Sequence, residues 1–272
     1  MSVQTASDEP IEGEIEIYHG DSEAIATLNK SELMSQMEVA HRFRRSVKQF
    51  QQEALTLATL NQEVAASCMY GVPRDGKIIT GPSVRFSEII QSTFKNMHVA
   101  SRVLDAEEKF ISAQGVAWDM ENNVRVVIEV KRRITGKKGN RFGDDMIATT
   151  GAAAAAIARR NAVFQVVPRA LVDELFAKVK QVAVGDAKTL AARRQDVVGR
   201  LQKIGVPVER IWARLNVKGI QDVGLEELEV LIGLGTAITS KNITIDDAFP
   251  EPDDTAAKAK ELDKSLTGKG QA

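Results

Sequence analysis

Between Phe110 and Asp119 the side chains alternate, with Phe110, Val116 and Trp118 at even positions and Ile111, Ala113 and Ala117 at odd ones. This is the period-two pattern of a strand that is apolar on both faces at its end. After the turn residues Met120-Glu121-Asn122-Asn123, a second run puts Val124, Val126, Ile128, Val130 and Ile134 on one face and Arg125, Glu129, Lys131 and Arg133 on the other. One face of this hairpin is core and the other is wet and mostly basic. A further strand opens near Val99. Beyond the hairpin, Gly136-Lys137-Lys138-Gly139-Asn140-Arg141 is too rich in glycine and charge to hold a regular element, and either Asp144 or Asp145 can cap the helix that follows. That helix carries Gly151, five consecutive alanines at Ala152 to Ala156, and the pair Arg159-Arg160. Side chains this small bury little area but let a helix lie very close against a sheet.

Upstream, apolar residues recur at Leu33, Met37, Ala40, Val47 and Phe50, then at Leu57, Leu60, Val64 and Ala65. They predict one long helix or two consecutive ones from Ser31, stopped by Tyr70-Gly71-Val72-Pro73. Arg74-Asp75-Gly76 reads as a turn and Lys77 to Thr80 as a short strand. Gly81-Pro82 opens a helix through Val84, Phe86, Ile89 and Ile90 that ends near Lys95-Asn96. Downstream, Pro168 starts a helix closed by Gly185, followed by helices over 189–204, from Pro207, and over 225–234. The expected fold is α+β: a small antiparallel, hairpin-based sheet packed with helices, plus a small all-α carboxy-terminal domain. The expected divisions are an acidic disordered tail (1–30, with a strand hint at Ile11 to Ile17), an α+β body (31–185), a helical domain (186–249) able to close on itself, and a disordered tail (250–272).

Composition sharpens this picture. The 272 residues are 43% hydrophobic and 27% charged, which suits a globular chain with a sizeable core. Cys68, the single cysteine, can form no internal disulfide, and the first thirty residues lack a basic-then-apolar leader pattern, so a cytoplasmic setting is expected. No apolar run approaches a membrane span. His19, His41 and His98 are scattered without metal-ligand spacing, and no GxxxxGK[ST] loop is present, so neither a metal nor a nucleotide cofactor is expected. The net charge of −1 conceals an asymmetry: residues 1–32 carry −7, residues 246–272 carry −3 and the remainder carries +9. Residues 131–160 alone hold eight basic and two acidic side chains, a balance of +6. A basic body between acidic tails is the pattern of a polyanion binder.

The segment Gly151-Ala-Ala-Ala-Ala-Ala-Ile-Ala-Arg-Arg-Asn-Ala-Val resembles the helix of the ERF-type single-strand annealing proteins of phages. The run Lys77-Ile-Ile-Thr-Gly-Pro-Ser-Val-Arg-Phe-Ser-Glu-Ile-Ile is similar to the strand-then-helix that precedes the hairpin in their RecT/Redβ relatives. The resemblance covers roughly residues 55–180 and rests mainly on element order. It implies ATP-independent binding of single-stranded DNA and annealing of complementary strands into duplex, in a bacterial host cell, by a homo-oligomer forming rings or helical filaments. Arg160, or Arg159 in the alternative register, matches the helix arginine that meets phosphate, and Lys77 falls where the group places another cation. The carboxy-terminal domain falls where family members recruit an exonuclease or a single-strand binding protein. The family's basic helix start is here Asp144-Asp145-Met146-Ile147-Ala148-Thr149-Thr150, so either Lys137, Lys138 and Arg141 supply that charge or the binding mode differs. With Arg125, Lys131 and Arg133 from the hairpin, these are the expected DNA contacts, Arg159 and Arg160 emerging beside Lys131 and Arg133 in one cation row.

Two other classes fit parts of the sequence. Asp119 followed by Glu129-Val130-Lys131 has the spacing of a restriction-like nuclease core, in which two carboxylates hold Mg²⁺ and the lysine orients water. A phage structural or scaffolding protein would account for the acidic tails and helices but not for the +6 cluster.

Overall fold

The computed structural model describes residues 19–74, 77–136 and 139–251, with side chains from residue 27 onward. The strand hint at Ile11 to Ile17, the Asp75-Gly76 turn, Lys137, Lys138 and most of the carboxy-terminal tail lie outside the described residues. The fold is α+β, with helical carboxy-terminal segments and two small antiparallel sheets.

The predicted hairpin is the centre of the molecule. Strands β3 (Met97–Ala106), β4 (Phe110–Asp119) and β5 (Val124–Arg133) form a sheet in that order. A bulge near Val103 and Asp105 shifts the β3–β4 register, so the long edge strand bends. Helix α5 (Asp144–Val166) crosses one face of this sheet and touches all three strands. Its stripe of Ala154, Ala158 and Ala162 is fully buried, and a Cβ added at Gly115 would lie 2.2 Å from the carbonyl carbon of Ala158. The alanines serve as expected, letting helix backbone rest on strand backbone. Neither Asp144 nor Asp145 caps the helix: Gly143 is the N-cap, and the two carboxylates sit in the first turn, where their charge complements the helix dipole.

On the far side of α5 most of the remaining helices pack in a second layer. The predicted amino-terminal helix is three: α1 (His19–Arg42), α2 (Val47–Ala58) and α3 (Gln62–Ser67). Ser46 and Asn61 cap the latter two by accepting from the backbone N–H three residues on, which is why the chain restarts there. Helix α1 begins inside the stretch expected to be disordered, where residues 21–29 include good helix formers. Tyr70-Gly71-Val72-Pro73 does more than stop a helix: strand β1 (Met69–Arg74) pairs antiparallel with β2 (Lys77–Pro82). Ser83, rather than a leading proline, then caps α4 (Val84–Phe94). Phe86 of α4 packs against Phe164 of α5 and, at 5.6 Å between ring centres, against Phe176 of α6 (Arg169–Val184). Gly185, with φ at 86°, ends α6 as expected.

The segments after Gly185 are α7 (Leu190–Lys203), α8 (Val208–Leu215), α9 (Leu225–Thr239) and α10 (Ile245–Ala248). They do not close on themselves. Helix α9 lies on β1 so tightly that a Cβ on Gly233 would sit 2.9 Å from the backbone nitrogen of Gly71. Leu228, Leu231, Leu234 and Phe249 join one continuous core with Phe50, Phe86 and Leu175. Polar contacts cross the same boundary, from Thr80 to Glu229 (2.9 Å), from Lys180 to Glu229 (2.9 Å) and from Arg132 to the Asn242 carbonyl (2.8 Å). The break at Gly185-Asp186 is therefore a turn in the chain and not a division of the core. Cys68 lies inside that core, and burial pushes its thiol up to about 12, which leaves it without thiolate at neutral pH.

Candidate nucleic-acid interface

The face of the sheet turned away from α5 is open, and strand register decides what it displays. His98, Trp118 and Arg125 lie side by side across the three strands; Ala100, Val116 and Val127 form the next row, and Arg102, Gln114 and Glu129 the one after; Ser112 faces Lys131, and Phe110 faces Arg133. Arg102, Arg125, Lys131 and Arg133 are exposed on this face, with Trp118 and Phe110 half-buried between them. The Arg133 guanidinium stands 5.7 Å from the centre of the Phe110 ring. Lys131 pairs with Glu107 at 3.0 Å across a well-solvated surface, a bond worth little and readily exchanged for another anion. Arg102 and Arg125 have no ion-pair partner among the described residues.

The other expected contacts are placed elsewhere. Arg141 donates to the carbonyls of Glu107 and Glu108, tying the basic loop to the β3–β4 turn. Lys77 is exposed at the start of β2, in the other sheet. Arg159 and Arg160 do not join Lys131 and Arg133, because α5 covers the opposite face of the sheet and directs both arginines to its own far side. Arg159 pairs with Glu88 of α4 at 2.8 Å. Arg160 stacks 4.9 Å from the Tyr70 ring centre, donates to the Asn161 side chain and is drawn below its ordinary pKa by burial. Arg160→Ala is accordingly expected to cost about 1–2 kcal/mol in urea unfolding, the scale of a desolvated cation–π contact, and to leave oligonucleotide affinity unchanged. Arg102, Trp118, Phe110 and His98 are the open-face residues that the hairpin pattern alone did not single out as contacts. Their signal is the even-numbered alternation of His98, Ala100 and Arg102, which acquires meaning only with the β3–β4 register.

The nuclease constellation is not assembled. Asp119 points to the α5 side and is 3% exposed, whereas Glu129 and Lys131 stand on the open face, and Glu129 pairs with Gln114, five residues or roughly 17 Å along the strand from Asp119. Asp119 is instead held by both terminal nitrogens of Arg45 and by Asn122. Arg45 also lies 3.2 Å from Glu121 and 3.8 Å from the Phe94 ring centre, so it clasps the α1–α2 joint to the β4–β5 turn. Burial works to raise both carboxyls, but the hydrogen bonds and charge of Arg45, with Asn122 on Asp119 and Asn96 on Glu121, hold both below their ordinary values. Groups so depressed contribute stability that is fully present above the unfolded carboxylate value of roughly 4 and is lost as pH falls through the folded one. The urea midpoint is thus expected to drop on acidification below about pH 4, and Asp119→Asn to flatten that drop, at a cost in stability at neutral pH.

Among the described residues no cluster of His, Cys, Asp and Glu could hold a metal ion, and no helix is long and apolar enough to cross a membrane. Helix α1 approaches the open face. Its Leu33, with His98, Arg102, Gln114, Trp118 and Arg125, lines a cleft of about 320 Å³. The helix is fastened at its carboxy end, where His41 meets the Met120 carbonyl at 3.1 Å and Asn96 donates to the Phe43 carbonyl at 2.9 Å. No family model, no curated protein and no solved structure matches this chain.

Proposed function

We propose that the protein binds single-stranded DNA along the open face of the β3-β4-β5 sheet and anneals complementary strands without ATP, acting as a ring or filament of copies. The observation that carries this reading is the exposure of Arg102, Arg125, Lys131 and Arg133 on one sheet face, with Trp118 and Phe110 among them. Cations spaced along strands follow a phosphate backbone, and sparse aromatic rings admit bases of any sequence. With aromatic residues only 5% of the chain, most of the binding free energy falls to phosphates, and complementary bases are left to recognise one another.

Mixing the protein with two complementary oligonucleotides, without nucleotide or metal, is expected to speed annealing and to leave both strands at full length after Mg²⁺ is added. Shortened strands in wild type that disappear in Glu129→Ala would replace this reading with the nuclease. Binding is expected to weaken steeply with salt. Replacing Arg102 and Arg125 together with alanine should lower the log–log salt slope by roughly 1.4, at about 0.7 per single-strand phosphate contact. An unchanged slope would remove both arginines from the interface.

A further inference from the structure

The cleft beneath α1 is built differently from the rest of the basic face. Backbone binding calls for exposed cations on an open surface, yet here an apolar side chain from a separate helix, Leu33, lines one cleft together with the indole of Trp118, with Arg102, Arg125 and His98 around the same space. The indole is held in place at its edge, where its N–H donates to the Asn123 side chain at 3.3 Å, so the ring does not turn freely. At about 320 Å³ the space stands at the lower end of the roughly 300–1,000 Å³ typical of small-molecule sites, enough for a single planar ring system. A cavity of about 410 Å³ between α3, α7 and α9 offers no comparable set: its Arg193 already donates to the Val182 and Ala183 carbonyls, and its Arg200 pairs with Asp196.

Resting on the reading of the open sheet as a nucleic-acid face, we propose that this cleft takes one unstacked nucleobase of a single strand between Leu33 and Trp118. Arg102 and Arg125 meet the phosphates on either side. A base has an apolar π-face for the indole and for the leucine, and a charged backbone for the arginines, which is the chemistry present on each side of the space. A base in duplex is already stacked and paired, and entering the cleft would require its extrusion at a cost of a few kcal/mol. The site therefore selects single strands over duplex, something that exposed cations alone do not do.

The chain has two tryptophans, so in a full-length Trp212→Phe background Trp118 is the sole indole reporter. Three probes of equal length separate the contributions: oligothymidylate, the same backbone with abasic sites throughout, and a hairpin duplex. Oligothymidylate is expected to change Trp118 fluorescence, and the abasic and duplex probes are not. Read by anisotropy of labelled probes, Trp118→Leu and the cleft-filling Leu33→Trp should each weaken oligothymidylate binding roughly ten-fold and leave abasic binding as in wild type. Leu33 lies on an exposed helix, so its variant retains the fold even if the tryptophan change does not. Oligothymidylate and abasic probes that bind equally, with both variants at wild-type affinity, would overturn the base site and leave the phosphate-binding face intact. Failure of all three probes to bind at low salt would instead overturn the function proposed for the sheet, and this inference with it.

Discussion

A chain ended after Gly185 is expected to lose its cooperative fold. The missing segments contribute Leu228, Leu231, Leu234 and Phe249, each fully buried in a core shared with α2, α4 and α6. At about 1.5–3 kcal/mol for each large side chain, their burial alone is worth roughly 6–12 kcal/mol, comparable with the total stability of a typical domain. The β1–β2 hairpin suffers most. A two-stranded ribbon is marginal in water, and its partner surface is α9, seated on it through Gly71 and Gly233. Circular dichroism melting and the yield of soluble protein measure the effect. A truncated chain melting cooperatively near the full-length temperature would show that the body is autonomous and that the shared core is dispensable.

Gly115→Val is expected to destabilise the protein by about 3 kcal/mol or more, a large value for a single added side chain. A Cβ at that position would meet the Ala158 carbonyl carbon at 2.2 Å, its oxygen at 2.3 Å and the Arg159 nitrogen at 2.4 Å. All three are backbone atoms that cannot rotate aside, so α5 must lift from the sheet, opening a gap under Ala154, Ala158 and Ala162. Gly81→Ala is the internal comparison. Nothing lies within 4 Å of its added methyl, so its change should stay within about 0.5 kcal/mol. Urea unfolding of the two variants side by side measures the difference, and equal midpoints would mean that α5 has slack against β4.

Much of this architecture was legible because the hairpin writes its own register. The alternation of Val124, Val126, Ile128 and Val130 against Arg125, Glu129, Lys131 and Arg133 identifies both faces before any neighbour is known. The phase of α5 was not legible in the same way. Gly151, Ala154, Ala158 and Ala162 face the sheet, but Ala152, Ala153 and Ala156 are equally small, so nothing in the sequence says which side of the helix is pressed down. With the phase undetermined, Arg159 and Arg160 could be assigned to the wrong side of the sheet. Strand β1 was hidden by Gly71 and Pro73, which read as breakers, although an edge strand tolerates both. The misread domain boundary had a visible signal. Leu228, Val230, Leu231, Ile232 and Leu234 spread over about half of the helix circumference, a wider apolar face than the stripe of a helix that rests on a single neighbour.

The one-ended attachment of α1 has a mechanical consequence. Among its described residues the helix is fastened at its last turn, and the chain between it and α2 is the short irregular stretch from Phe43 to Ser46. Twenty-four residues of helix extend about 36 Å, so the element is a lever with its fulcrum beside the Arg45 clasp. A rotation of about 10° there carries the far end through about 6 Å but Leu33, about 14 Å from the fulcrum, through only about 2 Å. The width of the cleft over Trp118 is thereby geared to backbone torsions at Phe43 to Ser46. Under the proposed base site, substitutions in that joint are expected to alter affinity for a single strand without touching it.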